Sequence, residues 1–438
     1  MSTPRRGPNR LAIIVAAFAV VAAACSGGDE VADPPPVFTP AGDASESLAD
    51  PGTTLLPPTP SDPPEIEGPS LADFAVPCGV DPEPTPATGP GIDDTTIRIA
   101  TGNDEGGRHA GRSGASMPEA VVAMAEHCNT LGGLAGRAIA VETYDAAVTE
   151  VPDVAARQCE ETFALVGHGY LQASLGTETW NGCGLPRFDG WSSALLRAEP
   201  VPLLAHRVAA VTDGAALSVA IVMPETTAGR TEAEAAQIAL VAAGFSVATV
   251  EFYSPAVEID WPAMQSRIAA SGAGSIHVSG SCRGATMPLA AAGGAEGPTI
   301  IADASSYDDD CRADAAALGV PLDNILLQVP FLPVEDGDDA PVTQAFVEIL
   351  ERFGASATGD ALLAGAAFWE FAVAVDACRS DVVTRDCLDE RRDVEWNGAG
   401  IHPPAADASC RVVVAMTADG FERVLPAEAG RFGCPDEG

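Results

Sequence analysis

The chain has 438 residues, a formal net charge of −39 and 47% apolar residues. A chain of this length and apolar content can fill the cores of two or three domains. All 23 of its lysine-plus-arginine residues are arginines. Because so acidic a surface repels phosphate backbones, DNA and RNA are excluded as expected partners.

Residues Met1–Cys25 have the features of an export signal. Three arginines precede the uncharged apolar run Leu11–Ala24, which is too short to span a membrane as a helix. Small residues come directly before Cys25, as in the lipobox of bacterial lipoproteins, so we expect lipidation of Cys25 and anchoring at the outer face of the cell membrane. The alternative is an ordinary signal peptide, whose cleavage would release a secreted protein.

The segment 26–75 is rich in proline, acidic and small polar residues and lacks apolar periodicity. Such a segment buries too little surface to offset its conformational entropy. We therefore expect a disordered tether between the lipid anchor and the folded part of the chain.

The first folded unit is predicted between Thr96 and Tyr144. Alternating β-branched residues predict a strand at Thr96–Thr101, and Ala138–Tyr144 predicts a second strand. The segment between them has apolar residues on one helical face, and Ser116 and Glu119 have the spacing of a capping box. Glycines at 132 and 133 end this helix. A β-α-β unit with a right-handed crossover begins a parallel, doubly wound sheet.

The alternation of strands and helices continues along the chain and restarts after Pro200. The other predicted strands are Ala164–Gly167, Leu185–Asp189, Leu217–Met223, Ser246–Tyr253, Ser275–Ser279, Thr299–Asp303 and Asn324–Val329, followed by the hairpin Arg411–Met416 and Phe421–Leu425. The other predicted helices are Val151–Phe163, Tyr170–Gly182, Thr231–Ala243, Trp261–Ser271, Ala285–Ala292, Pro341–Phe353 and Ala361–Cys378.

Two such runs predict an α/β fold of two doubly wound, Rossmann-like lobes with a central ligand cleft. Ligands bind beyond the carboxyl ends of the strands in open α/β sheets, so two lobes with facing strand ends would enclose one site. We expect lobe I to comprise residues 76–200 plus 325–377. Lobe II is expected to comprise residues 201–324 plus 378–438.

Ten cysteines remain after Cys25, an even number in an oxidising compartment, so five disulfides are expected. Helix direction places Cys78 with Cys128 and Cys159 with Cys183, because each pair lies at the end of the sheet away from the cleft. Position along the chain suggests Cys282 with Cys311, Cys378 with Cys387 and Cys410 with Cys434. The alternative is a set of buried free thiols.

Sequence motifs of enzymes are missing. The chain has no nucleophile elbow, zincin motif or phosphate-binding loop, and no convincing zinc or calcium spacing. The stretch Gly167–Tyr170 suggests an oxyanion-hole loop, but no nucleophile lies at a strand-to-helix turn near it. We therefore expect a binding protein that has no cofactor and no metal site, and not an enzyme. A secreted hydrolase is disfavoured.

Three stretches carry a family resemblance: GIDDTTIRI from Gly91, NTLGGLAGR at Asn129–Arg137, and Thr143–Asp145. They resemble the opening of type I periplasmic binding proteins, in particular the substrate-binding proteins of branched-chain amino acid ABC transporters. The resemblance extends to about Phe421. It implies capture of a small polar ligand, such as an amino acid or amide, and delivery to the membrane permease of an ABC transporter.

The resemblance also implies where a ligand is held. In the family, hydroxyls and backbone N–H groups of the first lobe hold the ligand's polar head, and the second lobe adds an aromatic residue and a carboxylate. Here the family's serine-rich turn after the third strand is replaced by Gly167–Tyr170. The matching loops give the candidate ligand-binding residues His168, Tyr170, Trp191, Ser192, Ser193, Thr226, Ser281, Asp303 and Tyr307.

The sequence leaves one functional alternative open. A ligand-sensing or scaffold lipoprotein of the same fold, without a transport role, would have the same sequence features. A neighbouring permease gene would favour transport, whereas a neighbouring kinase gene would favour sensing.

Overall fold

The computed structural model describes residues 77–79, 84–107, 114–190, 203–212, 217–380, 382–391 and 410–434. The predicted export signal, Cys25 and the predicted tether lie outside these residues. Within them, no helix is both long enough and apolar enough to cross a membrane.

The first sheet is parallel, with strand order β2-β1-β3-β4. Its strands alternate with helices in the order that the sequence predicts, because buried apolar strands need helices over them. Its elements are β1 (Thr96–Asn103), α1 (Ser116–Thr130), β2 (Ala138–Asp145), α2 (Val151–Glu161), β3 (Ala164–Val166), α3 (Thr177–Cys183) and β4 (Arg187–Phe188). The predicted helix Tyr170–Gly182 is thus limited to α3.

The predicted capping box of α1 does not form. The N-cap residue is Ala115, and its side chain makes no capping hydrogen bond. Ser116 is the first residue of the helix, and its hydroxyl lies 2.6 Å from the hydroxyl oxygen of Thr358. Ser116 and Glu119 have the spacing of a capping box, but the Ser116 hydroxyl bonds to Thr358, the N-cap residue of another helix.

The turn Asn129–Arg137 joins α1 to β2 through side-chain hydrogen bonds to the backbone. The Asn129 amide donates to the carbonyl of Ile139 at 2.9 Å and accepts the N–H of the same residue at 2.8 Å. Gly133 has φ of 82°, and a Cβ there would lie 1.9 Å from the Arg137 carbonyl oxygen, so only glycine fits. The buried Arg137 guanidinium donates to the carbonyl oxygens of Thr85, Asp93 and Ala135.

The second sheet has strand order β11-β10-β9-β8-β7-β5-β6 and is parallel from β9 to β6. The last two strands are antiparallel and form the predicted terminal hairpin. Its elements are α4 (Leu203–Thr212), β5 (Ser218–Pro224), α5 (Thr227–Ala242), β6 (Ser246–Tyr253), α6 (Trp261–Ser271), β7 (Ser275–Val278), α7 (Met287–Gly293), β8 (Thr299–Ala302), α8 (Asp309–Ala317), β9 (Ile325–Val329), β10 (Val412–Met416) and β11 (Phe421–Leu425).

The structure corrects the predicted position of β9. The sequence places this strand in lobe I, but it pairs with β8 on one side and β10 on the other. The strand is buried and central in the second sheet, where its apolar side chains have neighbours on both sides.

The helices that follow β9 pack on the first sheet. They are α9 (Pro341–Arg352), α10 (Gly359–Ala377) and α11 (Arg385–Arg391). The helix α10 is buried along most of its length and packs against α1, β3 and β4. The sequence places everything after 377 in lobe II, but the Arg385 guanidinium donates to the carbonyls of Cys159, Thr162 and Cys183 in the first lobe. Residues 382–391 therefore belong with lobe I.

Five disulfides link the ten cysteines of the described chain, in the pairs that the sequence suggests. They are Cys78–Cys128, Cys159–Cys183, Cys282–Cys311, Cys378–Cys387 and Cys410–Cys434. Each disulfide joins parts of the same lobe, so none of them prevents movement between the lobes.

Candidate functional site

The carboxyl ends of the strands in both sheets lead into short polar loops. In the first lobe these loops follow β1 at Asp104, β2 at Ala146 and β3 at Gly167. In the second lobe they follow β7 at Ser279 and β8 at Asp303. Since the carboxyl edge of an open α/β sheet is where ligands bind, these loops form the candidate site.

Both carboxyl edges meet at the start of α10. On the first-lobe side, the Thr358 hydroxyl lies 2.6 Å from that of Ser116, which begins the helix after β1. On the second-lobe side, the N–H of Gly359 donates to the carbonyl of Tyr307, in the turn after β8, at 2.6 Å. The two edges therefore border one shared cleft, as the sequence predicts.

Asp104 holds together the loops of the first-lobe edge. Its carboxylate is fully buried and accepts the N–H of Val148 at 2.7 Å and that of Leu171 at 2.6 Å. Val148 follows β2 and has φ of 72°, a strained conformation for a β-branched residue. Burial raises the pKa of Asp104, although both N–H groups favour its charged form. One carboxylate thus fixes the loops after β1, β2 and β3.

His168 and Tyr170 lie inside the first lobe. His168 bonds to Asp189 through Nε2 at 2.8 Å, and its ring stacks on Tyr170 with 4.9 Å between the ring centroids. Tyr170 is 2% exposed, and its hydroxyl accepts a hydrogen bond from Gln158 at 2.9 Å. Both side chains are buried, and the Tyr170 hydroxyl has a partner within the lobe; ligand contact by either residue stays a prediction.

Thr226 and Ser281 are helix caps. The Thr226 hydroxyl accepts the N–H of Gly229 at 2.9 Å, and the Ser281 hydroxyl accepts the N–H of Gly284 at 3.1 Å. Both residues are buried. Their hydroxyls thus begin helical turns, as expected of serine and threonine at such positions.

Asp303 lies at the cleft edge of the second lobe and is half-buried. Its carboxylate accepts the hydroxyl of Ser279 at 3.0 Å and the N–H of Ser305 at 3.0 Å. Burial raises the pKa of Asp303. Burial, together with the charge of Asp303, also raises the pKa of Glu232 on α5 to about 7. The second-lobe edge thus carries two neighbouring carboxyl groups, of which the sequence indicated only one.

Tyr307 packs between the second sheet and the connection that leads to lobe I. Its side chain is 3% exposed and stacks on Phe421 with 4.3 Å between the ring centroids. Its hydroxyl donates to Glu335 and accepts the N–H of Val334 at 3.0 Å. The sequence expected this ring to cover a ligand, but both its face and its hydroxyl are already occupied within the lobe.

We expect Tyr307→Phe to lower the free energy of unfolding by about 1–3 kcal/mol, because the N–H of Val334 loses the hydroxyl that accepts its hydrogen bond. The exposed Glu335 can bond to water instead. Tyr144→Phe is the control: its hydroxyl donates to the exposed Glu161, so water replaces the lost bond. Denaturant unfolding of both variants measures the difference. Equal losses in the two variants would contradict the structural role of the Tyr307 hydroxyl.

Several solved structures resemble the chain. A fatty acid ABC transporter substrate-binding protein from Thermomonospora curvata has a TM-score of 0.63 at 15% identity, covering 79% of this chain and 98% of its own. A leucine-binding protein from Thermotoga maritima has a TM-score of 0.59 at 16% identity, covering 78% of this chain and 99% of its own. A solute-binding protein of an ABC transporter from R. palustris, in complex with benzoate, has a TM-score of 0.59 at 14% identity, covering 77% of this chain and 99% of its own. No protein-family model and no curated protein matches the chain.

The fold is that of the type I periplasmic binding proteins. Two features of this fold were missed from the sequence, namely Asp104 behind the first-lobe edge and Thr358–Gly359 between the edges. Asp104 directly follows a strand, and a polar residue at a strand's carboxyl end is a pattern that could have indicated its position at the cleft edge. Thr358 follows a loop that no strand precedes, so no such pattern pointed to it. The candidates Trp191, Ser192 and Ser193 follow β4 and lie outside the described residues.

Proposed function

We propose that the protein is an extracytoplasmic solute-binding protein, which captures a small polar ligand by cleft closure and delivers it to the permease of an ABC transporter. The observation that carries this proposal is the meeting of two carboxyl edges at Thr358–Gly359. A solute that contacts both edges binds the closed state more tightly and shifts the population toward it.

The similar structures support this proposal. Two of them are substrate-binding or solute-binding proteins of ABC transporters, one of which holds benzoate, and the third is a leucine-binding protein. The fold therefore accommodates several classes of small molecule. Cleft closure needs no bond to form or break, so the proposal assigns no catalytic residue.

Within the cleft we propose Asp303 as the main polar contact from the second lobe. It is half-buried, and the Ser279 hydroxyl and the Ser305 N–H fix its carboxylate. A fixed, partly desolvated carboxylate binds an ammonium or amide group more strongly than an exposed one does. From the first lobe we propose Trp191, Ser192 and Ser193, which follow β4. Thr226 and Ser281 shape the backbone around this contact.

We further propose that lipidation of Cys25 anchors the protein to the outer face of the membrane, near the permease. The residues before Cys25 and the predicted tether support this location. The disulfides agree with export, because such bonds persist in oxidising compartments.

A thermal-shift screen of the mature protein tests the proposed function. Amino acids, amides, short-chain and aromatic acids, and sugars form the panel. A solute at one hundred times its Kd stabilises the folded state by about 2.7 kcal/mol, which raises the Tm measurably. Asp303→Asn should reduce the shift, whereas Asp310→Asn, on the exposed side of α8, should leave it unchanged. A panel without any stabilising compound would contradict the proposed function.

A further inference from the structure

The backbones of the two lobes come into close contact at the first residue of α10. The Gly359 N–H has no partner within its own helix, because the first N–H groups of a helix lack one. It donates instead to the Tyr307 carbonyl at 2.6 Å. We call the contact of Gly359 with Ala304 and Tyr307 the Gly359 seat.

The seat has no room for a side chain. A Cβ on Gly359 would lie 2.0 Å from the Ala304 carbonyl oxygen and 3.1 Å from the Tyr307 Cβ. The first distance is shorter than any real contact, and the atom that it meets is backbone, which no rotamer change can move. Glycine is therefore required by the approach of the neighbouring chain.

Each side of the seat belongs to a rigid part of its lobe. On the second-lobe side, the Ser306 hydroxyl lies 2.7 Å from that of Thr286, and the ring of Tyr307 stacks on Phe421. On the first-lobe side, α10 is buried and packs along α1. A change at the seat must therefore alter the angle between the lobes, because neither side yields locally.

We propose that the Gly359 seat sets the angle between the two lobes. The backbone of lobe II at Ala304 and Tyr307 contacts the backbone at the start of α10, and this contact limits how closely the two lobes approach each other. This role goes beyond solute capture and does not depend on which solute binds. A residue with a side chain at position 359 would hold the lobes farther apart.

The test measures the distance between the lobes in Gly359→Ala without any solute. Spin labels carried by a non-cysteine amino acid are placed at the exposed positions Glu126 on α1 and Glu234 on α5, so that the disulfides stay intact. The new Cβ must retreat by about 1 Å to reach 3.0 Å from the Ala304 oxygen. Because the labels lie away from the contact, we expect their mean separation to increase by more than this.

Gly365→Ala is the matched control, with the same substitution on the same helix. Its Cβ would meet the ring of Phe346 at 3.0 Å and the Met124 Cγ at 3.8 Å, both side chains within the first lobe, so the label distance should stay at the parent value. An unchanged distance in Gly359→Ala, or an equal change in both variants, would overturn the proposal.

Hydrogen exchange in the unmodified protein gives a second test, which holds even where Gly359→Ala does not fold. The amide of Gly359 is bonded only across the seat, so its protection reports whether the seat is formed. We expect slow exchange at Gly359. Exchange as fast as that of an unbonded amide would show that the lobes do not rest on each other there.

Discussion

Asp104→Ala is expected to lower the free energy of unfolding by about 3–5 kcal/mol. The change removes the acceptor of two buried N–H groups, those of Val148 and Leu171, and each unsatisfied group costs about 1–3 kcal/mol. Release of the strained conformation of Val148, which the carboxylate now holds in place, offsets part of this loss. Denaturant unfolding of the variant and the parent measures this loss.

Asp145→Ala is a control with the same chemistry at the surface. The Asp145 carboxylate also accepts two backbone N–H groups, those of Gly106 at 2.8 Å and Ala147 at 2.9 Å, but it is exposed. Water replaces these bonds, so the loss should stay below about 1 kcal/mol. Similar losses in the two variants would show that burial of Asp104 is not what matters.

The result at Asp104 bears on the proposed function, since this carboxylate fixes the first-lobe wall of the cleft. Faster exchange at the amides of Val148 and Leu171 in the variant would localise the effect to these loops. A loss of stability without faster exchange there would place the effect elsewhere.

The strands and disulfides were predictable because local patterns determine them. Buried β-branched runs such as Ser218–Pro224 have few alternatives to a strand. The direction of a helix fixes which end of the sheet its last cysteine reaches, so Cys128 had to lie near Cys78. Strand order is different, because it depends on pairing between distant segments. The apolar strand β9 fits either sheet equally well by its own sequence.

The site was less predictable, because a loop sequence does not show which way its side chains face. Tyr170 and Tyr307 follow strands at the cleft edge, as ligand-contacting aromatic residues do, yet both turn inward to hydrogen-bonded positions. No pattern in the sequence indicated that Gly359 lies at a contact between the lobes. Its role depends on the carbonyl of Ala304, 55 residues earlier in the chain, which only the folded structure brings near.

The second large effect is expected on acidification, from a histidine buried inside the second lobe. His277 on β7 is 2% exposed, and its ring centroid lies 5.8 Å from that of His206 on α4. Burial lowers the pKa of His277 from 6.5 to about 4 and lowers that of His206 well below its usual value. Both rings are therefore neutral in the folded protein at neutral pH.

The sign of the pH dependence follows from the lowered pKa of His277. Between pH 6.5 and 4 the unfolded chain binds a proton at this position and the folded chain does not. The free energy of unfolding therefore falls as the pH falls through this range. With about 1.4 kcal/mol per pKa unit, the contribution of His277 between pH 7.5 and 4.5 amounts to about 2.5 kcal/mol. Glu232 acts in the opposite direction, because its pKa is raised to about 7.

Comparison with His277→Leu separates the histidine from the carboxyl groups, which are common to both proteins. We expect the parent to lose about 2.5 kcal/mol more than this variant between pH 7.5 and 4.5, measured by denaturant unfolding at each pH. His127→Leu should reduce the pH dependence by less, because His127 on α1 is only half-buried. Parallel pH profiles for the parent and His277→Leu would mean that His277 takes up its proton without unfolding, and the interior of lobe II would then have to accommodate a charge.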